Sequence, residues 1–201
     1  MANSTTGRSS INVKNLTMWK QLTDDSAGTT YDTEARSFTH QLNSAKYTPK
    51  TETNEQYGDG IKVEDYVAKD GGDLDIVIRG FGTGDEAFLF GETETTAEKT
   101  AVSGSDDIVP YVCVAYMTER PDGKVNLYKF PKVKFMPQGE DSQQREGTKI
   151  SYTTASIKGT YSPLLSTHSD CYKCRGVDPS TQADLISNWF AEADYYTADV
   201  T

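Results

Sequence analysis

Apolar and polar residues alternate with a period of two along much of this chain, the pattern of strands with one buried face. Val13–Leu22 (VKNLTMWKQL) places Leu16, Met18 and Leu22 on one face, with Lys20 breaking the pattern. Thr23–Thr30 is a turn by composition, and Arg36–Tyr47 is a weaker strand. Ile61–Ala68 sets Ile61, Val63 and Val67 against Lys62 and Glu64, and Leu74–Arg79 sets Leu74, Ile76 and Ile78 against Asp73, Asp75 and Arg79. Asp70-Gly71-Gly72 between them is a tight-turn signal, so the two runs are predicted to form a hairpin. Val109–Thr118 is apolar on both faces, as a central strand is. After the turn Pro121-Asp122-Gly123, Val125–Met136 returns, and its apolar phase switches past Pro131, which predicts a bulge or an edge there. Thr148–Tyr161 reads as a long strand whose phase slips from Ile150 and Tyr152 to Ala155 and Ile157.

Two helices are expected. Asp85–Phe90 carries acids in its first turn and is closed by Gly91. Near the end, Asp178 is a good N-cap and Pro179 suits a first helical position. Leu185, Ile186, Trp189, Phe190 and Ala193 then fall on one stripe. Thr48–Gly60 (TPKTETNEQYGDG) and Glu92–Asp107 lack an apolar period and read as long loops. The resulting organisation is a flexible N-terminal arm (1–12), a β-domain (13–162), and a C-terminal loop, helix and tail (163–201).

Composition sharpens this picture. Of 201 residues only 35% are hydrophobic, while tyrosine occurs 12 times, so the chain favours strands and polar loops over a large helical core. The net charge of −10 is unevenly placed. Residues 1–49 hold 5 bases and 4 acids, residues 50–110 hold 5 and 15, and residues 111–201 hold 10 and 11. Such an acidic centre repels nucleic-acid phosphates and argues against ordinary DNA binding. The N-terminal eight residues contain no apolar run, so no secretory signal is expected, and no stretch is long enough to insert in a bilayer.

Chemistry-bearing motifs are few. His168-x-x-Cys171-x-x-Cys174 has ligand types and spacing that suit zinc, but a closed site needs a fourth ligand, for which only His40, Cys113 or an acid is available. A redox Cys-x-x-Cys should open a helix beside a βαβ unit, and none surrounds this one. Neither histidine lies in a nucleophile motif. Gly80-Phe81-Gly82-Thr83-Gly84 lacks the lysine of a phosphate loop. Lys129, Lys132 and Lys134, interleaved with aromatics, read as the wet face of a half-buried strand. No enzyme activity and no cofactor are expected.

Several stretches, in order, resemble the major tail protein family of long non-contractile-tailed phages of Gram-positive bacteria. They are VKNLTMWKQLTDDSAGTTYDTE (Val13–Glu34), TETNEQYGD (Thr51–Asp59), LDIVIRGFGTGDEAFLFG (Leu74–Gly91), the hairpin Pro110–Asp141, TASIKGTY (Thr154–Tyr161) and ISNWFAEADYY (Ile186–Tyr196). The resemblance implies a mainly β tail-tube sandwich or barrel with a short helix, a C-terminal helix, long loops and terminal arms. Six copies would form a ring, and rings would stack into a conduit for viral DNA. Tape-measure protein and DNA would occupy its lumen, with tail terminator and distal tail proteins at its ends. The protein would then be made in the host bacterial cytoplasm and reside in the virion. On this reading Thr51, Glu52, Asn54, Glu55, Tyr57 and Asp59 belong to a ring-stacking loop, and Glu64, Asp73 and Asp75 face the lumen. The competing expectations are a monomeric β-sandwich binding or adhesin module and a small metalloenzyme centred on His168, Cys171 and Cys174.

Overall fold

The computed structural model describes residues 9–38, 40–59, 61–82, 84–95, 99–138 and 154–195. Strand accounts for 58% and helix for 10%, so the protein is mainly β, built on one large antiparallel sheet. In chain order the elements are β1 (Asn12–Asp25), β2 (Gly28–Tyr31), β3 (Arg36–Phe38), β4 (Leu42–Gly58), β5 (Ile61–Ile78), α1 (Asp85–Phe90), β6 (Thr93–Thr95), β7 (Thr100–Val102), β8 (Tyr111–Glu119), β9 (Val125–Met136), β10 (Ala155–Tyr161), β11 (Tyr172–Val177) and α2 (Ala183–Ala191). The sheet runs β2-β1-β8-β9-β10-β5-β4, with β3 beside β1 and β11 beside β9.

The sheet has two apolar faces. One holds Leu16, Met18, Phe38, Leu74, Ile76, Ile78, Val112, Val114, Phe130, Val133, Phe135 and Ile157, drawn from both ends of the strand order. Residues so far apart in the sheet share one cluster because the sheet rolls, bringing Tyr47 of β4 to 5.5 Å from the ring of Phe130 in β9. Tyr116, Tyr128 and Tyr161 continue the aromatic packing, with Tyr116 and Tyr128 stacked at 5.1 Å. Helix α1 closes the core with Leu89 and Phe90. Its first residue, Asp85, is almost fully buried and accepts hydrogen bonds from Gly82 N–H at 2.6 Å and Arg36 Nε at 2.8 Å. A charge this deep persists only because the guanidinium and the backbone answer it.

The second face is covered by α2. Trp189 and Ala193 are buried and Leu185, Ile186 and Phe190 pack beside them, so the predicted stripe is the packed face. They cover Trp19, Cys113, Ala115, Val125 and Leu127. Lys129 lies fully buried in this layer. Its ammonium sits 5.3 Å from the Trp19 ring and 4.9 Å from that of Trp189, and donates to the Glu192 carbonyl at 2.7 Å. Burial drives its pKa down to about 8, against the opposing pull of Cys113, Asp194, Glu192 and Cys174. The wet face expected for Lys129 is therefore a covered one.

Several local expectations are corrected. Thr48–Gly60 is not a loop, because β4 continues through it to Gly58. Asp70-Gly71-Gly72 is not a turn, because β5 passes straight through it. Glu92–Asp107 contains the small β6–β7 hairpin. Asp178 does not cap α2. Its side chain accepts from the Ser180 amide and hydroxyl in a turn before the helix, which starts at Ala183. Ile11 N–H donates to Glu119 O, so the end of the predicted arm already runs beside β8. The bulge expected at Pro131 is present: Val112 pairs with Val133 and Val114 with Phe130, leaving two β9 residues opposite one. Ile150 and Tyr152 lie outside the described residues, as do 1–8 and 196–201.

Candidate functional site: the distal β4–β5 arm

Strands β4 and β5 pair along nearly their whole length, from Leu42 with Ile78 to Gly58 with Ile61. Only the base, Gly72–Ile78, is also paired with β10. Beyond it the two strands leave the sheet as a ribbon with both edges unpaired by any described strand. At about 3.4 Å per residue the ribbon reaches roughly 30 Å. The chain reverses between the paired Gly58 and Ile61, with Asp59 in the left-handed region at φ 52.

The junction of base and arm is a bulge. Pro49 pairs with Gly72 and Thr51 with Lys69, so Asp70 and Gly71 together oppose Lys50. Gly71 has φ +60, and a Cβ there would lie 2.0 Å from the Tyr161 carbonyl oxygen. A Cβ on Gly72 would lie 2.3 Å from Thr48 O. These glycines serve a bulge and a close approach. Lys69 pairs with Asp170 at 2.6 Å and Lys50 with Asp73 at 2.9 Å, bracketing the same junction.

The arm exposes what a folded domain ordinarily hides. Ile61, Val63, Tyr66, Val67 and Tyr57 are 59–71% exposed. Register puts Val67 opposite Thr53 and Tyr66 opposite Asn54, on opposite faces of the ribbon. Near the tip, Lys62 Nζ lies 2.7 Å from Glu55 and 2.8 Å from Asp65, and Tyr57 donates its hydroxyl to Glu55 at 2.6 Å. The Lys62 and Tyr57 hydrogen bonds hold the Glu55 carboxyl below its ordinary pKa, and the partners Asp65 and Glu55 raise that of Lys62. Residues 51–70 hold six acids and two lysines.

The structure gathers Thr51, Glu52, Asn54, Glu55, Tyr57 and Asp59 on the β4 half and tip of this arm. Sequence reasoning missed their β5 partners Ile61, Val63, Tyr66 and Val67, having assigned an apolar face to a packed hairpin. The three acids proposed for a common lumen surface are separated. Glu64 is on the arm, whereas Asp73 and Asp75 lie on the sheet face opposite the core. There Asp75 stands between Lys158 of β10 and Lys46 of β4, and Asp73 between Thr160 and Thr48. That face is thus mixed in charge. It continues through Lys134, Met136 and Tyr111, with Lys132 and Lys134 each about 5 Å from the Tyr111 ring.

His168, Cys171 and Cys174 do not converge. Cys171 packs against the first core and Cys174 against the second, because an odd spacing beside and along a strand directs side chains to opposite faces. Among the described residues no three His, Cys, Asp or Glu side chains are grouped to hold a metal. Burial raises the Cys113 thiol to about 12 and Cys171 to about 11, the opposite of an activated nucleophile. Among the described residues no helix is long and apolar enough to cross a membrane. No protein-family model matches the chain, and no curated protein matches it.

Proposed function

We propose that the chain is the repeating subunit of a phage tail tube, joining other copies in hexameric rings that stack into a hollow conduit for DNA. The observation that carries this reading is the arm: a ribbon with both edges unpaired among the described residues, bearing five large apolar side chains at 59–71% exposure. A two-stranded ribbon is marginal in water, and open edges beside exposed apolar surface mark a site of association. The resemblance of Thr51–Asp59 to the tail-tube pattern falls on this element. The mainly β rolled sheet suits a subunit whose neighbours complete its edges.

Negative-stain microscopy of the purified chain at high concentration tests the reading. Rings or tubes with a central hole are expected, and a monodisperse monomer at every concentration would overturn it. Glu52 pairs with Ala68, so replacing residues 53–67 by Asn-Gly shortens the arm without changing its register. That variant is expected to fold, by circular dichroism and thermal melting, and to form no tubes. Tubes of normal length from it would remove the arm from the interface.

A further inference from the structure

The two outward halves of the rolled sheet are treated differently. Over Trp19, Cys113 and Leu127 the face is closed by α2. Over the C-terminal half of β9, β10 and the bases of β5 and β4 no described element covers it. Register arranges this open face in rows. One is Tyr111–Lys134–Thr160–Asp73–Thr48, and the next is Met136–Lys158–Asp75–Lys46. Lys132, paired with Asp24, and Lys50, paired with Asp73, flank them. Lys132 and Asp24 are nearly covered in their pair, so the face presents four lysines (Lys46, Lys50, Lys134, Lys158) and two aspartates (Asp73, Asp75), an excess of cations in a chain of net charge −10. Tyr111 and Met136 add apolar surface, at 39% and 50% exposure.

The arm has the converse character, with acids outnumbering lysines around exposed aliphatic and tyrosyl side chains. We infer that the open β9–β10–β5–β4 face is the receptor for the arm of a second copy of this chain, with arm acids such as Glu52 and Glu64 against Lys134 and Lys158. Three observations converge on that occupant: opposite charge excess, exposed apolar residues on both surfaces, and an arm that leaves its own sheet at the Gly71 bulge. The contact is heterologous, so each copy offers one arm and one receptor, which propagates an assembly instead of closing a dimer. This assigns Asp73 and Asp75 to a subunit contact and not to the lumen. Mixed charge on the receptor sets register, because like charges brought together on a shifted arm repel.

The inference rests on the tube reading, and charge exchange separates the two. Lys134→Glu with Lys158→Glu should raise the concentration needed for assembly by about tenfold or more, since facing like charges oppose association. Glu52→Lys with Glu64→Lys should do the same. An equimolar mixture of these two variants, or the fourfold variant carrying both changes, should recover assembly toward the native level. All four positions are outside the core, so unchanged melting temperatures are the control for folding. Wild-type assembly falling as salt rises is also expected. Failure of the native chain to assemble sinks the tube reading and the receptor together. Native tubes unaffected by the lysine reversals, or reversals that the exchange fails to rescue, overturn the receptor alone. Binding of single-stranded or duplex DNA to this face in native tubes, lost on Lys134→Glu with Lys158→Glu, would instead return the face to the lumen.

Discussion

One hairpin contains two opposite kinds of β-structure. At the base of β4–β5, Leu74, Ile76 and Ile78 alternate with Asp73, Asp75 and Val77, and the first three are fully buried. Earlier on the same strand, Ile61 and Val63 also alternate with the polar Lys62 and Glu64, and both are exposed. Local pattern is the same in both. The difference is what lies on the edge of β5 away from β4 and over its face: β10 and the rolled core at the base, no described element at the arm. Apolar alternation states that a face is to be buried, and leaves open whether the burying surface belongs to the same molecule.

Breaking the base should cost most. Ile76→Ala removes a fully buried side chain from the core and is expected to destabilise the subunit by about 4 kcal/mol in urea melts. A cost below about 1 kcal/mol would show that the base is no better packed than the arm. Gly71→Ala attacks the junction, combining a left-handed backbone with a side chain against the Tyr161 carbonyl, and is expected to cost about 3 kcal/mol.

A comparison of lysines sharpens the contrast. Lys129 is depressed to about 8 chiefly by burial, whereas an unfolded lysine titrates near 10.4. Between those values the unfolded chain binds more protons than the folded one, so this group's contribution to stability grows as pH rises. Stability of the native chain relative to Lys129→Met should therefore increase from pH 7.5 to 10, by up to about 3 kcal/mol. Taking the difference cancels the titration of the buried phenols, while Cys113 and Cys174 remain coupled to Lys129. A flat difference would mean that the sheet–α2 layer is wetter than its packing indicates. Lys62 on the arm should behave otherwise: Lys62→Ala is expected to leave the subunit's melting temperature unchanged. Smallest of all, Val63→Ala should alter subunit stability by no more than about 0.5 kcal/mol while weakening assembly. A larger loss in the isolated subunit would place Val63 in a core.

Legibility in the sequence followed the range of the interaction that decides each element. The α2 stripe, α1 with Gly91, the long β9 and its Pro131 bulge each depend on neighbours within a few residues, and each was readable. The arm was not. Its β4 strand, Thr51–Tyr57, has no apolar period, and neither of its faces packs against a core cluster among the described residues, so it resembled a loop. Two Asp-Gly signals competed for the turn, at Asp59 and at Asp70. Only the distant Tyr161 carbonyl and the Thr48 oxygen decide that the second serves a bulge. Strand β11 was hidden for a related reason: Cys171-x-x-Cys174 drew attention as chemistry, while its role as a strand depends on pairing with β9 across some 45 residues of sequence.

The bulge at Gly71 has a mechanical consequence. A ribbon roughly 30 Å long that pivots near its root is a lever, and a swing of about 10° there carries its tip about 5 Å, a full strand spacing. The ion pairs Lys69–Asp170 and Lys50–Asp73 sit at that fulcrum and act as stays on either side. In a string of subunits joined arm to face, the same small angle would be repeated at every joint. Bending of the whole filament would then be distributed among many pivots, with each rolled core remaining rigid.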